Sequence, residues 1–166
     1  MNQSLDNVQH AFAGESQANR KYLFFAAKAE EEGNAQVARL FRAAADAETV
    51  HARNHFGVMK GVQSTPENLK AAINGENYEF TQMYPGFIKE ARAEGAKEAE
   101  ETFDLANKVE KVHHRLFTAY LDSVEKGKKI EDKPIYVCQY CGNTVEGQAP
   151  EKCPICGVKD MFKKIN

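Results

Sequence analysis

One arrangement occurs twice in this chain of 166 residues: a glutamate, then a Glu-x-x-His pair 33 or 34 positions later. Glu15 stands 33 positions before Glu48 of Glu48-x-x-His51, and Glu76 stands 34 before Glu110 of Glu110-x-x-His113. All of these acids fall on seams of residues spaced alternately three and four apart, the periodicity of a core-facing helix. The seams run Leu5, Val8, Phe12, Glu15, Asn19, Tyr22, Ala26, Ala29; Val37, Phe41, Ala44, Glu48, His51, His55, Val58, Val62; Leu69, Ile73, Glu76, Phe80, Met83, Phe87, Ala91; and Ala99, Phe103, Ala106, Glu110, His113, Phe117, Tyr120, Val124. A core wants Leu or Ile where these acids sit, and an unpaired buried carboxylate is costly. Counted from turns near Gly33-Asn34 and Gly95, the acids and histidines lie 14 to 19 residues away, near a common level. Glu at i and His at i+3 share one helical face. One Glu from each of two helices, with Glu-x-x-His from each of two others, is the ligand set of dinuclear carboxylate sites in helical bundles. A lone Glu-x-x-His pair would mean only a solvated face, and a bundle with buried ion pairs is the structural alternative. Two pairs with matched partner acids favour metal.

Charge supports that reading. Four glutamates neutralise two divalent ions, and neutral imidazoles add nitrogen ligands without charge. Glu79, one turn after Glu76, is a fifth acid on roughly the same face. Two ferric ions with a hydroxide would carry a charge that five carboxylates balance, so Glu79 suits an oxidised state and neutral His51 a reduced one. Otherwise Glu79 is a solvated helix acid.

Residues 1–126 are therefore expected to form an all-α four-helix bundle. Ser4 is a candidate N-cap, and Gly33-Asn34 and Gly95 end helices. Ser64-Thr65-Pro66 reads as a cap followed by Pro at the first helical position. Pro85 should bend or divide the third segment. Residues Gly61 to Thr65 could form a long crossover, which would make the bundle ferritin-like instead of up-down-up-down. Residues 127–134, from Gly127 to Pro134, form a polar linker.

All four cysteines lie in residues 135–166, as Cys138-x-x-Cys141 and Cys153-x-x-Cys156 with eleven residues between the pairs. Each pair is followed by Gly, which permits the tight turn that aims backbone amides at sulfur. Two such knuckles present four thiolates to one tetrahedral metal, and both zinc and iron accept that set. A disulfide framework is the alternative, disfavoured in a reducing compartment. A module this small needs a metal to hold it. Short strands are expected at Ile135-Tyr136-Val137, Thr144-Val145-Glu146 and Met161-Phe162.

With 22 basic and 24 acidic residues the formal net charge is −2, without the basic footprint of a nucleic-acid binder. The longest apolar run, Tyr22 to Ala27, is too short to cross a bilayer. Met1 to Ser4 lack the basic start of a secretory signal, so a cytoplasmic location is expected.

Together these segments resemble the rubrerythrin family, a ferritin-like di-iron bundle followed by a rubredoxin-like iron module. The resemblance rests on Ala13-Gly-Glu-Ser-Gln-Ala18, Glu48-Thr-Val-His51, Gly75-Glu-Asn-Tyr-Glu79, Met83-Tyr-Pro85, Glu110-Lys-Val-His113 and both cysteine knuckles. It implies that Glu48 and Glu110 bridge two non-haem irons, that Glu15 binds one, and that Glu76 with His113 binds the other. It also implies that the Glu15-bound iron exchanges His51 for Glu79 with redox state. Tyr22 and Tyr84 match family tyrosines near the cluster, with core packing as their plainer role. His55, also on the seam, reads as a hydrogen-bonded core histidine or one that supports a ligand, in preference to a ligand itself, and His10 and His114 read as surface residues. The resemblance moves the metal at Cys138, Cys141, Cys153 and Cys156 from zinc towards iron. The short gap between knuckles, the absence of Trp and a slightly basic module depart from free rubredoxins.

The activity so implied is a peroxidase, an oxidoreductase reducing hydrogen peroxide to water in oxidative-stress protection. Electrons would come from NAD(P)H through a separate rubredoxin or reductase and enter by the cysteine module. No Gly-x-Gly-x-x-Gly fingerprint marks this chain as that reductase. The family pattern puts the two centres of one chain far apart and brings them together across a head-to-tail homodimer. The competing functions are iron storage with oxygen as oxidant, and a binding bundle with a structural zinc ribbon.

Overall fold

A computed structural model describes residues 3–166; Met1 and Asn2, part of the start read above for an export signal, lie outside the described residues. The described chain divides into two compact units, one ending at Gln63 and one running from Ser64 to Asn166. The four expected helical segments appear as two hairpins, one in each unit, and the cysteine region forms a small sheet.

The first unit is α1 (Gln3–Glu31) packed on α2 (Ala35–Val58). Ser4, expected as a cap, lies inside α1. The turn between them is a glycine-terminated helix end: Asn34 N–H donates to Ala29 C=O (2.8 Å) and Gly33 N–H to Glu30 C=O (3.0 Å). Gly33 is left-handed at φ 77°, where a Cβ would be strained. Small residues set the helix spacing, since Ala26, Ala29, Ala38 and Ala45 are the buried positions. Phe12 stacks on Phe56 at 4.9 Å, and Phe25 meets Phe41 edge-on at 5.5 Å. At mid-length the Asn19 amide donates to Ala45 C=O (2.7 Å) and Thr49 Oγ1 (2.9 Å). The apolar seam is wider than this one interface. Predicted seam residues Leu5, Val37, Val58 and Val62 are exposed, as are Phe24 and Leu40, because two helices share only one contact stripe.

The second unit begins with α3 (Thr65–Tyr78), where the Ser64 backbone N–H and hydroxyl both donate to the Glu67 carboxylate, at 3.1 and 2.7 Å. Pro85 acts as expected, and the third segment is divided. A π-helical turn, Glu79–Met83, separates α3 from α4 (Tyr84–Glu94). Tyr84 N–H reaches back five residues to Glu79 C=O, and Pro85 supplies no N–H with which to resume the α pattern. Gly95, at φ 70°, closes α4 as Gly33 closes α1, with Ala96 N–H on Ala91 C=O at 2.9 Å. The returning α5 (Lys97–Glu125) packs on α3 and α4. Tyr84, Phe87 and Phe103 cluster there, with Phe87 and Phe103 at 5.5 Å.

Strands β1 (Ile135–Cys138), β2 (Thr144–Glu146) and β3 (Phe162–Ile165) form an antiparallel sheet in the order β2-β1-β3. Ile135 pairs with Glu146 on one side and Ile165 on the other. This sheet rests on α5. Val109, 2 % exposed, lies against Gly142, while His113 and Tyr120, seven residues apart on one helical face, bond to Thr144 and Glu146, alternate residues of β2. Helix and strand periodicities thus coincide over two contacts.

Candidate metal centres

The expected helical ligands gather into two triads. Glu15, Glu48 and His51 form one in the first unit, and Glu76, Glu110 and His113 the other in the second. Within each triad one ligand atom from every residue lies within 4.8 Å of the others. The repeat seen in the sequence persists at the level of atoms. His51 Nδ1 is 2.8 Å from Glu48 Oε2 and 4.0 Å from Glu15 Oε1. His113 Nδ1 is 2.7 Å from Glu110 Oε2 and 3.8 Å from Glu76 Oε2. In both, Nδ1 is the nitrogen turned to the carboxylates. The second triad is more enclosed, with the His113 side chain 27 % exposed against 53 % for His51.

Enclosure shows in the second triad's acidity. Burial pushes the Glu76 carboxyl up to about 7, aided by a hydrogen bond to Glu110 and its negative charge and opposed by His113. Burial also raises Glu79, with Glu110 repelling its charge. The Tyr84 hydroxyl is raised by burial and by Glu110, Glu79 and Glu76, so it keeps its proton beside three acids. His113 is raised chiefly by its hydrogen bond to Glu110. Crowded carboxylates held as weaker acids than usual repel one another when ionised, and a bound cation would relieve that repulsion. Glu79 belongs to the second unit with these groups, whereas His51 belongs to the first. Tyr22 sits half-buried between Phe25 and Phe41 at 6.3 and 6.2 Å. His10 is exposed, as expected of a surface residue, and His55 is half-buried. His114, expected at the surface, is half-buried and edge-on to Phe80, a seam residue of the third segment, at 5.4 Å.

The cysteines form the third cluster. Cys138 Sγ and Cys156 Sγ are 3.8 Å apart, and Cys141 Sγ and Cys153 Sγ 3.7 Å. A tetrahedron with metal–sulfur bonds of about 2.3 Å has edges of about 3.8 Å, which these two pairs match, and all four sulfurs lie within 4.8 Å of one another. Backbone N–H groups point at three of them: Asn143 at Cys141, Ile155 and Cys156 at Cys153, and Val158 at Cys156. These bonds favour thiolates against the burial that disfavours them. The buried Asn143 amide adds a further donor, 3.7 Å from Cys153 Sγ.

Sequence reasoning missed the residues that join the two kinds of centre. His113 Nε2 lies 3.0 Å from Thr144 Oγ1 and also within reach of the Gly142 carbonyl. Gly142 directly follows Cys141, so the first cysteine knuckle touches a carboxylate-site histidine of its own chain. This differs from the expectation that the two centres of one chain are far apart. No spacing rule could have found Thr144, because the contact depends on how the sheet rests on α5. Beside it, a cleft of about 440 Å³ is lined by Leu69, Glu76, His113, Phe117, Ile135 and Thr144 among others. Among the described residues, no helix is long and apolar enough to cross a membrane.

Two carboxylate–histidine triads on helical hairpins and a four-cysteine module define a metal-binding helical protein with a rubredoxin-like appendage. The rubrerythrin model matches residues 6–121, and a model described as the rubredoxin-like domain of rubrerythrin matches residues 136–163. The chain belongs to the rubrerythrin family. It is 40 % identical to rubrerythrin-2 of Clostridium acetobutylicum, over 95 % of this chain and 94 % of that protein. It is also 37 % identical to nigerythrin of Nitratidesulfovibrio vulgaris, over 96 % of this chain and 85 % of that protein. Among solved structures, the fully reduced, all-ferrous state of nigerythrin is similar with a TM-score of 0.59 at 35 % identity, covering 97 % of this chain and 86 % of that one.

Proposed function

We propose that this protein is a non-haem di-iron peroxidase that reduces hydrogen peroxide to water, with electrons entering through the cysteine module. Its proposed domains are the helical residues 1–126, the connector 127–134 and the module 135–166. The contact of Gly142 and Thr144 with His113 carries this reading: it puts a four-thiolate site next to a carboxylate–histidine site. Storage of iron has no use for that adjacency, whereas a centre that must be repeatedly re-reduced does.

The triads Glu15, Glu48, His51 and Glu76, Glu110, His113 would hold the iron pair, and Cys138, Cys141, Cys153 and Cys156 the single iron. When bound, the iron pair would supply two-electron reduction for O–O cleavage, and the thiolate-held iron would supply electrons one at a time. The remaining chemistry belongs to side chains. Glu79 is a spare carboxylate next to Glu110, poised to match a rise in positive charge that neutral His51 could not. Tyr84 Oη, kept protonated by burial and three acids, can hand a proton to the departing oxygen. The proposed partners are an external rubredoxin or NAD(P)H-dependent reductase and a second copy of the chain, in the cytoplasm.

The test is to reduce the protein without oxygen and follow reoxidation by peroxide and by oxygen separately. Peroxide should be the faster oxidant, and Glu79→Ala should slow it while leaving the thiolate absorption unchanged. Faster reaction with oxygen would overturn the assignment.

A further inference from the structure

We infer that Thr144 is a positioning residue for His113: its hydroxyl holds the Nε2 edge of the ring so that Nδ1 is the nitrogen offered to metal. The inference rests on the reading of Glu76, Glu110 and His113 as ligands. Three observations carry it. Thr144 Oγ1 is 3.0 Å from His113 Nε2. The same hydroxyl donates to Gly142 C=O at 3.3 Å, which uses its only proton and leaves its lone pairs for Nε2–H. Thr144 therefore asks for a proton on Nε2. In a neutral ring that leaves Nδ1 bare, and Nδ1 is the atom facing Glu110 and Glu76.

The partner of Nε2 belongs to the cysteine module: Thr144 begins β2, and Gly142, to which its hydroxyl donates, follows Cys141. The module thus serves its neighbour as a mechanical brace, separately from any electron it passes. A folded knuckle is a condition for a properly aimed His113, so filling of the thiolate site and affinity at the second triad are linked. The corresponding outer partners of metal-bound histidines, when removed, change metal affinity by about 10- to 100-fold.

The full-length protein, stripped of metal, is titrated with cobalt(II) without oxygen as wild type, Thr144→Val and Thr144→Ser. Thiolate-bound cobalt is read from its intense sulfur charge-transfer absorption, and carboxylate–histidine cobalt from its weaker visible bands. Thr144→Val should weaken one of the two carboxylate–histidine ions about 10- to 100-fold with the thiolate absorption intact, and Thr144→Ser should restore it. Equal affinity in wild type and Thr144→Val overturns the inference while leaving the triad as a metal site. Failure of Thr144→Ser to restore binding also overturns it, since the hydroxyl would not be the active group. Wild type taking no cobalt beyond the thiolates refutes the metal-site reading itself. Nitrogen NMR of histidine-labelled, zinc-loaded wild type needs no variant: His113 should carry its proton on Nε2, in slow exchange. A proton on Nδ1 would overturn the inference.

Discussion

Acidification should loosen metal from the second triad steeply, and in a range where an ordinary carboxylate would show nothing. Metal takes the ionised carboxylate and a proton competes for it. Glu76 stands at about 7 in place of 4.5, through burial and the neighbouring Glu110. At pH 8 about nine-tenths of such groups are ionised, and at pH 6 about one-tenth, so affinity drops about tenfold, or about 1.4 kcal/mol. His113, also raised, must yield any proton on Nδ1 to the metal, which steepens the fall as pH drops through its own range. The measurement is zinc titration of protein whose thiolates are already filled, between pH 8 and 6, with released protons counted by an indicator dye. One to two protons should leave per ion bound at the second triad near pH 6.5. Affinity independent of pH across that interval, with no proton release, would mean that Glu76 is ionised at neutrality and that the crowding inferred around it is wrong.

Three further substitutions test packing. Gly95→Ala forces a Cβ into a left-handed turn at φ 70° and should cost about 1 kcal/mol in denaturant unfolding, whereas Gly14→Ala, inside α1 with open space around it, should gain up to about 1 kcal/mol. Equal effects at the two sites would remove the turn argument. Val109→Ala takes two methyl groups from under Gly142 and should destabilise by about 2 kcal/mol. Hydrogen exchange should then quicken at residues 142–144 before the rest of the sheet, and a uniform response would show that the sheet is not seated through Val109.

The helices were legible because each carries its own signals: period, glycine stop and proline position act within a few residues. The candidate clusters were legible in part for a related reason, since Glu-x-x-His and Cys-x-x-Cys put their donors together through local geometry, whereas Glu15 and Glu76 join only when two helices pack. Pro85 announced a break, but not that the break would be a π turn starting at Glu79. Ser4 resembled a cap because capping residues are also tolerated in a first turn, and His114 resembled a surface residue because it lies one position off the seam of its own helix, beside His113.

Sequence by itself pointed to the two hairpins, the two cysteine knuckles and the candidate carboxylate and histidine residues, all marked by residues close in the chain or repeated at nearly equal spacing, 33 and 34 positions. Tertiary structure alone decided that the cysteine module lies on α5 of its own chain, that Thr144 meets His113, and that the second triad is the more enclosed. Those facts depend on which face of a short strand meets which stripe of a long helix. That choice is made by Val109, His113 and Tyr120 acting together with Gly142, Thr144 and Glu146, groups whose separation along the chain carries no local signal of their contact.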